Sequence, residues 1–282
     1  MEVRAYAKLN LTLDVLGKRD DGYHDLRMVM QSVDLCDSLT LEVAEDDAVS
    51  VKTNLCFLPN DDRNLAAMAA RAFFEHTGKP MGLSIDIEKQ IPVCAGMAGG
   101  STDAAAVLRA LNEMTGAGLS REELAEIGAK VGSDVPYCVL GTTALAEGRG
   151  EILTELPSLP SSYVVLCKPG FSISTPELFH RIDSCRITCR PDTTGMLAAL
   201  ERGDLKDVAR RMYNVFEDAL PERQGRTVAE IRSILIGEGA LGACMSGSGP
   251  TVFGLFDCPE AAKRAYENLK ESYQETFLCK TV

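Results

Sequence analysis

The stretch Ile91-Pro92-Val93-Cys94-Ala95-Gly96-Met97-Ala98-Gly99-Gly100-Ser101-Thr102-Asp103 is the most informative part of this chain. Before it, Leu83, Ile85 and Ile87 alternate with Ser84, Asp86 and Glu88, the period of a strand. After it, an Ala/Leu-rich run predicts a helix to about Met114. A glycine-rich turn between strand and helix exposes successive backbone N–H groups beside the positive end of a helix dipole, which makes an anion cradle. Glycine admits positive φ and lets a phosphate approach without a Cβ in the way. Ser101 and Thr102 add hydroxyls, and a serine there can touch a phosphate-bound Mg2+. The plainer reading of the same residues is a tight connection with a Ser cap. The stretch is not a Walker A loop, because no Gly-Lys-Ser/Thr follows, and Gly96, Gly99 and Gly100 do not fit GxGxxG. It contains no lysine, so any cation must come from elsewhere.

Toward the N-terminus, Val3, Ala5, Ala7, Leu9, Leu11, Leu13 and Val15 fall on one face of a predicted half-buried strand. Arg4, Tyr6, Lys8, Asn10, Thr12 and Asp14 fall on the other, so Tyr6, Lys8 and Asn10 sit side by side on a polar face. Lys8 is the natural candidate cation, although a lone lysine on such a face is usually just solvated. A charged turn, Gly17 to Gly22, leads to Tyr23-His24, an aromatic–imidazole pair able to stack on and hydrogen-bond a planar base, or simply an incidental exposed histidine. Further strands are predicted near Val29–Leu35, Ser38–Val43 and Val49–Thr53, and a helix opens at Asp61-Asp62 and ends at Gly78.

Toward the C-terminus, Ser120-x-x-Glu123 is a capping box, and its helix closes at Gly132. Asp134 follows beside Pro136, where Ser133 or Asp134 would serve equally well as an N-cap. Leu156 to Ser162, with two prolines and three serines, is the best linker. It divides the chain into residues 1–158 and 159–282. A strand at Tyr163–Lys168, a helix beginning at Ser174-Thr175-Pro176-Glu177, helical patterns through 192–238, a strand–loop–strand around Ser246-Gly247-Ser248-Gly249-Pro250, a helix from about Pro259 to Ser272 and a last short strand complete a mixed α+β chain. From local signals a hairpin turn explains the Ser246–Gly249 loop equally well.

Composition bounds the function. The chain has 282 residues and a formal charge of −12, with 45% hydrophobic and 25% charged residues. That argues against a nucleic-acid coat or a membrane-surface protein, which usually carry basic blocks. Ten scattered cysteines without a CxxC pair, and only His24, His76 and His180, make structural zinc improbable and free buried thiols in a reducing cytosol the plain reading. No apolar run approaches the roughly 20 residues that span a bilayer, so a soluble cytoplasmic protein is expected.

Read in order, five blocks resemble the GHMP kinase superfamily of small-molecule kinases across essentially the whole chain. They are Ala7-Lys8-Leu9-Asn10-Leu11, Gly22-Tyr23-His24-Asp25-Leu26, Ile91 through Ala105, Gly132-Ser133-Asp134-Val135-Pro136, and Ser246-Gly247-Ser248-Gly249-Pro250-Thr251. The first two blocks set it apart from homoserine, mevalonate and galactose kinases and resemble the branch whose acceptor is CDP-methylerythritol. The resemblance implies a two-domain α+β fold. Its N-terminal domain would be like the second domain of ribosomal protein S5, its C-terminal domain a ferredoxin-like α/β sandwich, with the active site in the cleft. It implies ATP and Mg2+ as cofactors, phosphorylation of the acceptor's 2-hydroxyl, no nucleic-acid or membrane partner, and a monomer or weak homodimer. Residue by residue, it implies that Pro92, Val93, Cys94, Ala95, Gly96, Met97, Ala98, Gly99, Gly100, Ser101 and Thr102 hold the ATP phosphates. Asp134 would be the base and Lys8 the lysine beside it. Asn10 would position the acceptor, and Tyr23 and His24 would read cytidine. Thr175 belongs to the substrate site, Phe179 would stack on the other face of cytosine, and Ser246, Gly247, Ser248 and Gly249 would buttress the phosphate loop. The metal ligands stay open. Two departures stand out: Ala98 where many relatives have glycine, and Thr102 in place of a common serine. Three alternatives remain: a GHMP kinase acting on homoserine or a sugar, an S5-like RNA binder, and a member that binds without turnover.

Overall fold

The computed structural model describes residues 1–46 and 48–282. The chain opens with two long strands, β1 (Glu2–Lys18) and β2 (His24–Val43), then β3 (Val49–Thr53), α1 (Leu65–Thr77), β4 (Leu83–Glu88), α2 (Gly99–Thr115), α3 (Arg121–Ala129) and α4 (Val135–Leu140). It continues with β5 (Ala144–Gly148), β6 (Ile152–Glu155), β7 (Tyr163–Lys168), α5 (Thr175–Ser184), α6 (Thr193–Glu201), α7 (Leu205–Arg210) and β8 (Tyr213–Asn214). A 3-10 turn (Val215–Ala219), α8 (Glu222–Gly237), β9 (Gly242–Met245), β10 (Val252–Phe256), α9 (Pro259–Ser272) and β11 (Glu275–Lys280) complete it. The α+β class expected from the sequence is what the chain forms.

Two compact units result, each assembled from separate stretches. The first comprises Met1–Ala7, Leu35–Ile91 and Ala98–Gly141; the second comprises Lys8–Asp34, Pro92–Met97 and Thr142–Val282. β1 and β2 therefore contribute to both.

In the first unit β4 pairs antiparallel with the end of β2, from Ser38↔Glu88 to Val43↔Leu83, and β3 runs parallel to β4. Leu83, Ile85 and Ile87 are essentially fully buried, each contributing roughly 1.5–3 kcal/mol relative to exposure. α1 starts at Leu65, later than Asp61-Asp62 suggests, because Asn64 accepts the Ala66 N–H as its cap. It ends where left-handed Gly78 returns its N–H to the Phe74 carbonyl. Ala104, Ala105, Ala106 and Ala110 give α2 a small-residue surface that lets it pack closely on α1. Ser120 and Glu123 form the expected capping box on α3.

In the second unit β5 pairs with the start of β2 (Leu26↔Gly148 to Met30↔Ala144), β6 with β5, and β8 runs parallel to β1 at Thr12↔Tyr213. A separate antiparallel sheet has the order β11-β7-β10-β9. Beyond β11, Thr281 bridges to Val33 on β2.

The structure corrects two strand expectations. Val29–Leu35 and Ser38–Val43 are one continuous strand, β2, which already starts at His24. β1 is not half-buried: every residue from Ala7 to Val15 is buried, including Lys8, Asn10, Thr12 and Asp14. Protein groups replace water on its polar face. Thr12 Oγ1 accepts the Val29 N–H at 3.1 Å, and Asp14 accepts from Arg190 at 2.5 Å.

All ten cysteines are free. Cys138, Cys167, Cys244 and Cys279 are buried, and burial pushes the Cys167 thiol up to about 12. Cys56, Cys94, Cys189 and Cys258 are exposed, so the expectation of buried thiols holds for only part of the set. Among the described residues no helix is long and apolar enough to cross a membrane, and no group of three or more His, Cys, Asp or Glu is placed to hold a metal ion.

Candidate active site

The glycine-rich loop turns its carbonyls toward the protein. The Gly96 carbonyl accepts from Ser246 Oγ at 3.0 Å, and the Met97 carbonyl accepts the Lys8 N–H at 3.2 Å. In a trans peptide the N–H points opposite to the C=O, so the amides of Met97 and Ala98 point away from these anchors. Ala95 and Met97 bury their side chains, which leaves backbone as the loop's main offering. Gly96 has no alternative: a Cβ there would lie 2.1 Å from the Ser246 carbonyl oxygen. Gly247 is equally confined, with Gly96 O at 2.9 Å from its would-be Cβ. Ala98, at φ 57° and ψ 32°, occupies left-handed space as the N-cap of α2. That explains physically why a glycine suits this position, since a Cβ costs roughly 1–2 kcal/mol there. Cys94 shares the strain at φ 53°.

A chain of hydrogen bonds connects the strand lysine to this loop. Lys8 Nζ donates to Asn10 Oδ1 at 2.7 Å, the Asn10 N–H donates to Ser246 Oγ at 3.3 Å, and Ser246 donates onward to Gly96. The Ser246–Gly249 loop is itself clamped. Buried Asn214 donates to the carbonyls of Met245 and Gly247, both at 2.8 Å, and Glu217 accepts the Met245 N–H at 2.9 Å. Asn214 and Glu217 were not legible in the sequence, because nothing local marks a residue that caps a loop about thirty positions away.

In the first unit a buried ionic triad holds the flanks of the loop. Asp37 Oδ1 accepts the N–H groups of Gln90 (2.6 Å) and Ile91 (2.8 Å), just before it. Asp103, in the first turns of α2 just after it, accepts from Lys89 at 2.6 Å, and Lys89 also donates to Asp37. All three side chains are at most 5% exposed. Burial pulls the Lys89 ammonium down, but the two carboxylates outweigh it and leave it raised. Burial, with Asp37 adding to it, pushes the Asp103 carboxyl well above the usual range against the pull of Lys89. Its Oδ1 has no hydrogen-bond partner, which fits a carboxyl inclined to hold a proton. The triad also escaped the sequence reading: Lys89 and Asp37 lie 52 residues apart, and Asp103 was quoted only as part of the loop motif.

The hydroxyls differ. Thr102 is buried and donates to the Tyr6 carbonyl at 2.7 Å, so its proton is committed to the fold. Ser101 is partly exposed at the start of α2. Asp134 occupies the N-cap position of α4, yet makes no capping hydrogen bond. The plain reading of Asp134 as a cap therefore describes its place in the chain and not the work of its carboxylate.

Around β2's first residue the second unit gathers aromatic and charged groups. The His24 ring stacks on Phe179 with centroids 4.8 Å apart and planes 22° apart, and Phe179 meets Phe216 edge-on. A base inserted between two rings needs about 7 Å, so His24 and Phe179 in this arrangement have no room for one between them. His24 Nε2 is 2.6 Å from Asp183 Oδ1, and Lys18 donates to the other oxygen at 3.1 Å. Tyr23 is exposed, with the Arg149 guanidinium over its ring at 4.9 Å. Thr175 and Ser248 share a hydroxyl–hydroxyl bond of 2.7 Å, which joins the start of α5 to the small-residue loop. Ser174 caps α5 as its sequence suggests.

A glycine-rich loop leading into a helix, a strand lysine linked to it by hydrogen bonds and a second small-residue loop bonded to it are parts that a small-molecule kinase could use. The GHMP kinase N-terminal domain matches residues 64–142 and the GHMP kinase C-terminal domain residues 196–275. The chain belongs to the GHMP kinase family and, as a kinase, uses ATP. It is 43% identical over 278 residues to the 4-diphosphocytidyl-2-C-methyl-D-erythritol kinase of Alkaliphilus metalliredigens, covering 99% of this chain and 95% of that protein. A crystal structure of 4-(cytidine 5'-diphospho)-2C-methyl-D-erythritol kinase superposes with a TM-score of 0.84 at 33% identity, covering 100% of this chain and 99% of the other. Homoserine kinase from Cytophaga hutchinsonii has the same fold, with a TM-score of 0.75 at 17% identity and coverage of 100% and 94%.

Proposed function

We propose that this chain transfers the γ-phosphoryl group of ATP to the 2-hydroxyl of CDP-methylerythritol, giving the 2-phosphate and ADP in non-mevalonate isoprenoid precursor synthesis. The observation that carries the acceptor is the likeness, along the full chain, to relatives named for that substrate. In this reading the acceptor oxygen forms the new O–P bond as its proton passes to Asp134, and the bond from the γ-phosphorus to the ADP oxygen breaks. Lys8 stabilises charge at the hydroxyl, and Asn10, which accepts from Lys8, positions the acceptor. The loop Pro92–Thr102 holds the triphosphate through its amides, with Ser246–Gly249 fixing its curvature. Positioning and charge stabilisation are what phosphoryl transfer chiefly requires.

Tyr23, His24, Thr175 and Phe179 form the cytidine site, which requires the His24–Phe179 stack to part or the base to use an outer face. The functional division at 158/159 is supported by the family matches, which fall on either side of it. Mg2+ fits as a passenger on the triphosphate rather than in a protein cage: Asp103 is engaged with Lys89, and Ser101 is the hydroxyl left to meet the ion. Bound there, it neutralises charge on the transferring phosphates. The protein works in the cytosol as a monomer or weak homodimer, without nucleic-acid or membrane partners.

The test is ADP release from MgATP with CDP-methylerythritol, homoserine, mevalonate, galactose or no acceptor. Turnover with the cytidine compound alone is expected. Turnover with another acceptor instead would discard the substrate site while keeping the kinase.

A further inference from the structure

The small-residue loop is gripped from one short turn of chain. Asn214 ends β8 and caps the 3-10 turn Val215–Ala219, its Oδ1 accepting the Phe216 N–H at 3.0 Å. The same turn carries Glu217. Asn214 is fully buried, and its Nδ2 donates to the carbonyls of Met245 and Gly247, the residues on either side of Ser246. These three contacts agree on one orientation of the amide, since a flipped amide would set its own oxygen against two carbonyl oxygens. Glu217 holds the same segment one residue earlier. Its Oε1 accepts the Met245 N–H at 2.9 Å, and its Oε2 accepts from Arg232 at 2.6 Å, which also donates to the Ala243 carbonyl. Ser246 has no freedom left. Its backbone bonds Thr251 and Gly249, and its hydroxyl accepts the Asn10 N–H and donates to the Gly96 carbonyl. Nor is there slack beside that last bond, because a Cβ on Gly96 would lie 2.1 Å from the Ser246 carbonyl oxygen.

We propose that Asn214 and Glu217 are positioning residues for ATP: they hold Met245–Gly247 so that Ser246 keeps the Gly96 carbonyl turned inward and the Met97 amide turned toward the triphosphate. The inference rests on the reading of Pro92–Thr102 as the phosphate loop. The Gly96 carbonyl and the Met97 N–H belong to one trans peptide, so an anchor on the first aims the second. Amides aimed in advance need no reorganisation when charge arrives, and a displacement of about 1 Å can cost roughly 100-fold. Neither residue touches nucleotide; both act through one hydroxyl. An asparagine suits the task because an aspartate of the same shape would face the two carbonyls with lone pairs and no donor.

Calorimetric titration with MgATP, the KM for the cytidine substrate and a thermal melt separate positioning from loss of fold. Asn214→Asp is expected to weaken MgATP binding about tenfold or more while the acceptor KM changes less than about twofold. Where Asn214→Asp does not fold, Glu217→Ala carries the same expectation, and Glu217→Gln, which keeps an acceptor for the Met245 N–H, restores most of the affinity. A double-mutant cycle shows the route. Ser246→Ala weakens MgATP binding by itself, and adding Asn214→Asp weakens it no further, because the hydroxyl through which Asn214 acts is gone. Hydrogen exchange of residues 92–102 in the native protein tests the underlying reading. If bound MgATP does not slow exchange there, the phosphate-loop reading falls and takes the proposal with it. If it does, unchanged MgATP affinity in the Asn214 and Glu217→Ala variants, or losses that multiply in the double variant, overturn the proposal alone.

Discussion

The glycine-rich loop and the aromatic cluster at His24 are held by opposite means. The loop's flanks are fastened by Asp37, Lys89 and Asp103, all nearly sealed from water, and its carbonyls are bound by Ser246 and the Lys8 amide. His24 rests on a ring stack and on Asp183, which is 28% exposed and shared with an exposed Lys18. Buried ion pairs have one good geometry and are strongly destabilising when half is removed, whereas exposed pairs contribute about 0–1 kcal/mol and rearrange cheaply. Phosphoryl transfer tolerates little displacement, and base recognition can close around its ligand. On the proposed reading of the two sites, the chain puts rigidity where the first demand lies and adaptability where the second does.

The contrast can be broken most directly at Asp37. Asp37→Ala leaves Lys89 with only a proton-prone carboxyl and strips two backbone amides of their acceptor. It should cost about 3–5 kcal/mol, read as a lowered midpoint in urea unfolding. Asp103→Asn should cost far less, because the folded state already disfavours charge on that group; equal losses would refute the asymmetry. Next comes Asp134→Asn, expected to lower kcat about 100-fold or more while ATP binding by titration is kept. Phe179→Ala should raise the KM for the cytidine substrate about 2–10-fold with kcat little changed, as loss of ring stacking predicts. A selective effect on ATP would misplace Phe179.

The His24 side also has an acid signature. Because the folded Asp183 carboxyl lies below its unfolded value of about 3.9, its contribution to stability is complete above that pH and is lost as pH falls through the lower folded value. Asp183→Asn should flatten stability in that window, followed by thermal melts from pH 5 downward. The smallest effect belongs to Ala98→Gly, which relieves left-handed strain and should raise stability by about 0.5–1 kcal/mol.

Most of the fold was legible, because strands such as β4 and caps such as Ser120 and Ser174 are written in neighbouring residues. The loop 92–103 announced itself through its glycines. What the sequence concealed is long-range. Alternation placed Lys8 and Asn10 on one face, but could not show that Ser246, 236 positions away, accepts the Asn10 N–H. His24 looked like a loop residue because glycine precedes it in the turn, yet it starts β2, and its partner Asp183 lies 159 residues on. Lys89 sat between a strand and the loop with nothing nearby to mark it as a buried ion.

The pairing of β1 has a consequence for how the protein comes to exist in a cell. Its Ala7–Val15 core is sheltered by residues such as Tyr213 and Ser246. At about 5–20 residues per second, a ribosome needs on the order of 10–50 s to deliver them after β1 has emerged. Non-local pairings are also the slow ones to form. The edge of β1 that meets β8, unlike the edge that pairs with β2, is therefore among the last parts of the chain to find cover. The span during which it needs guarding by chaperones is set by the pace of translation rather than by the stability of the finished molecule.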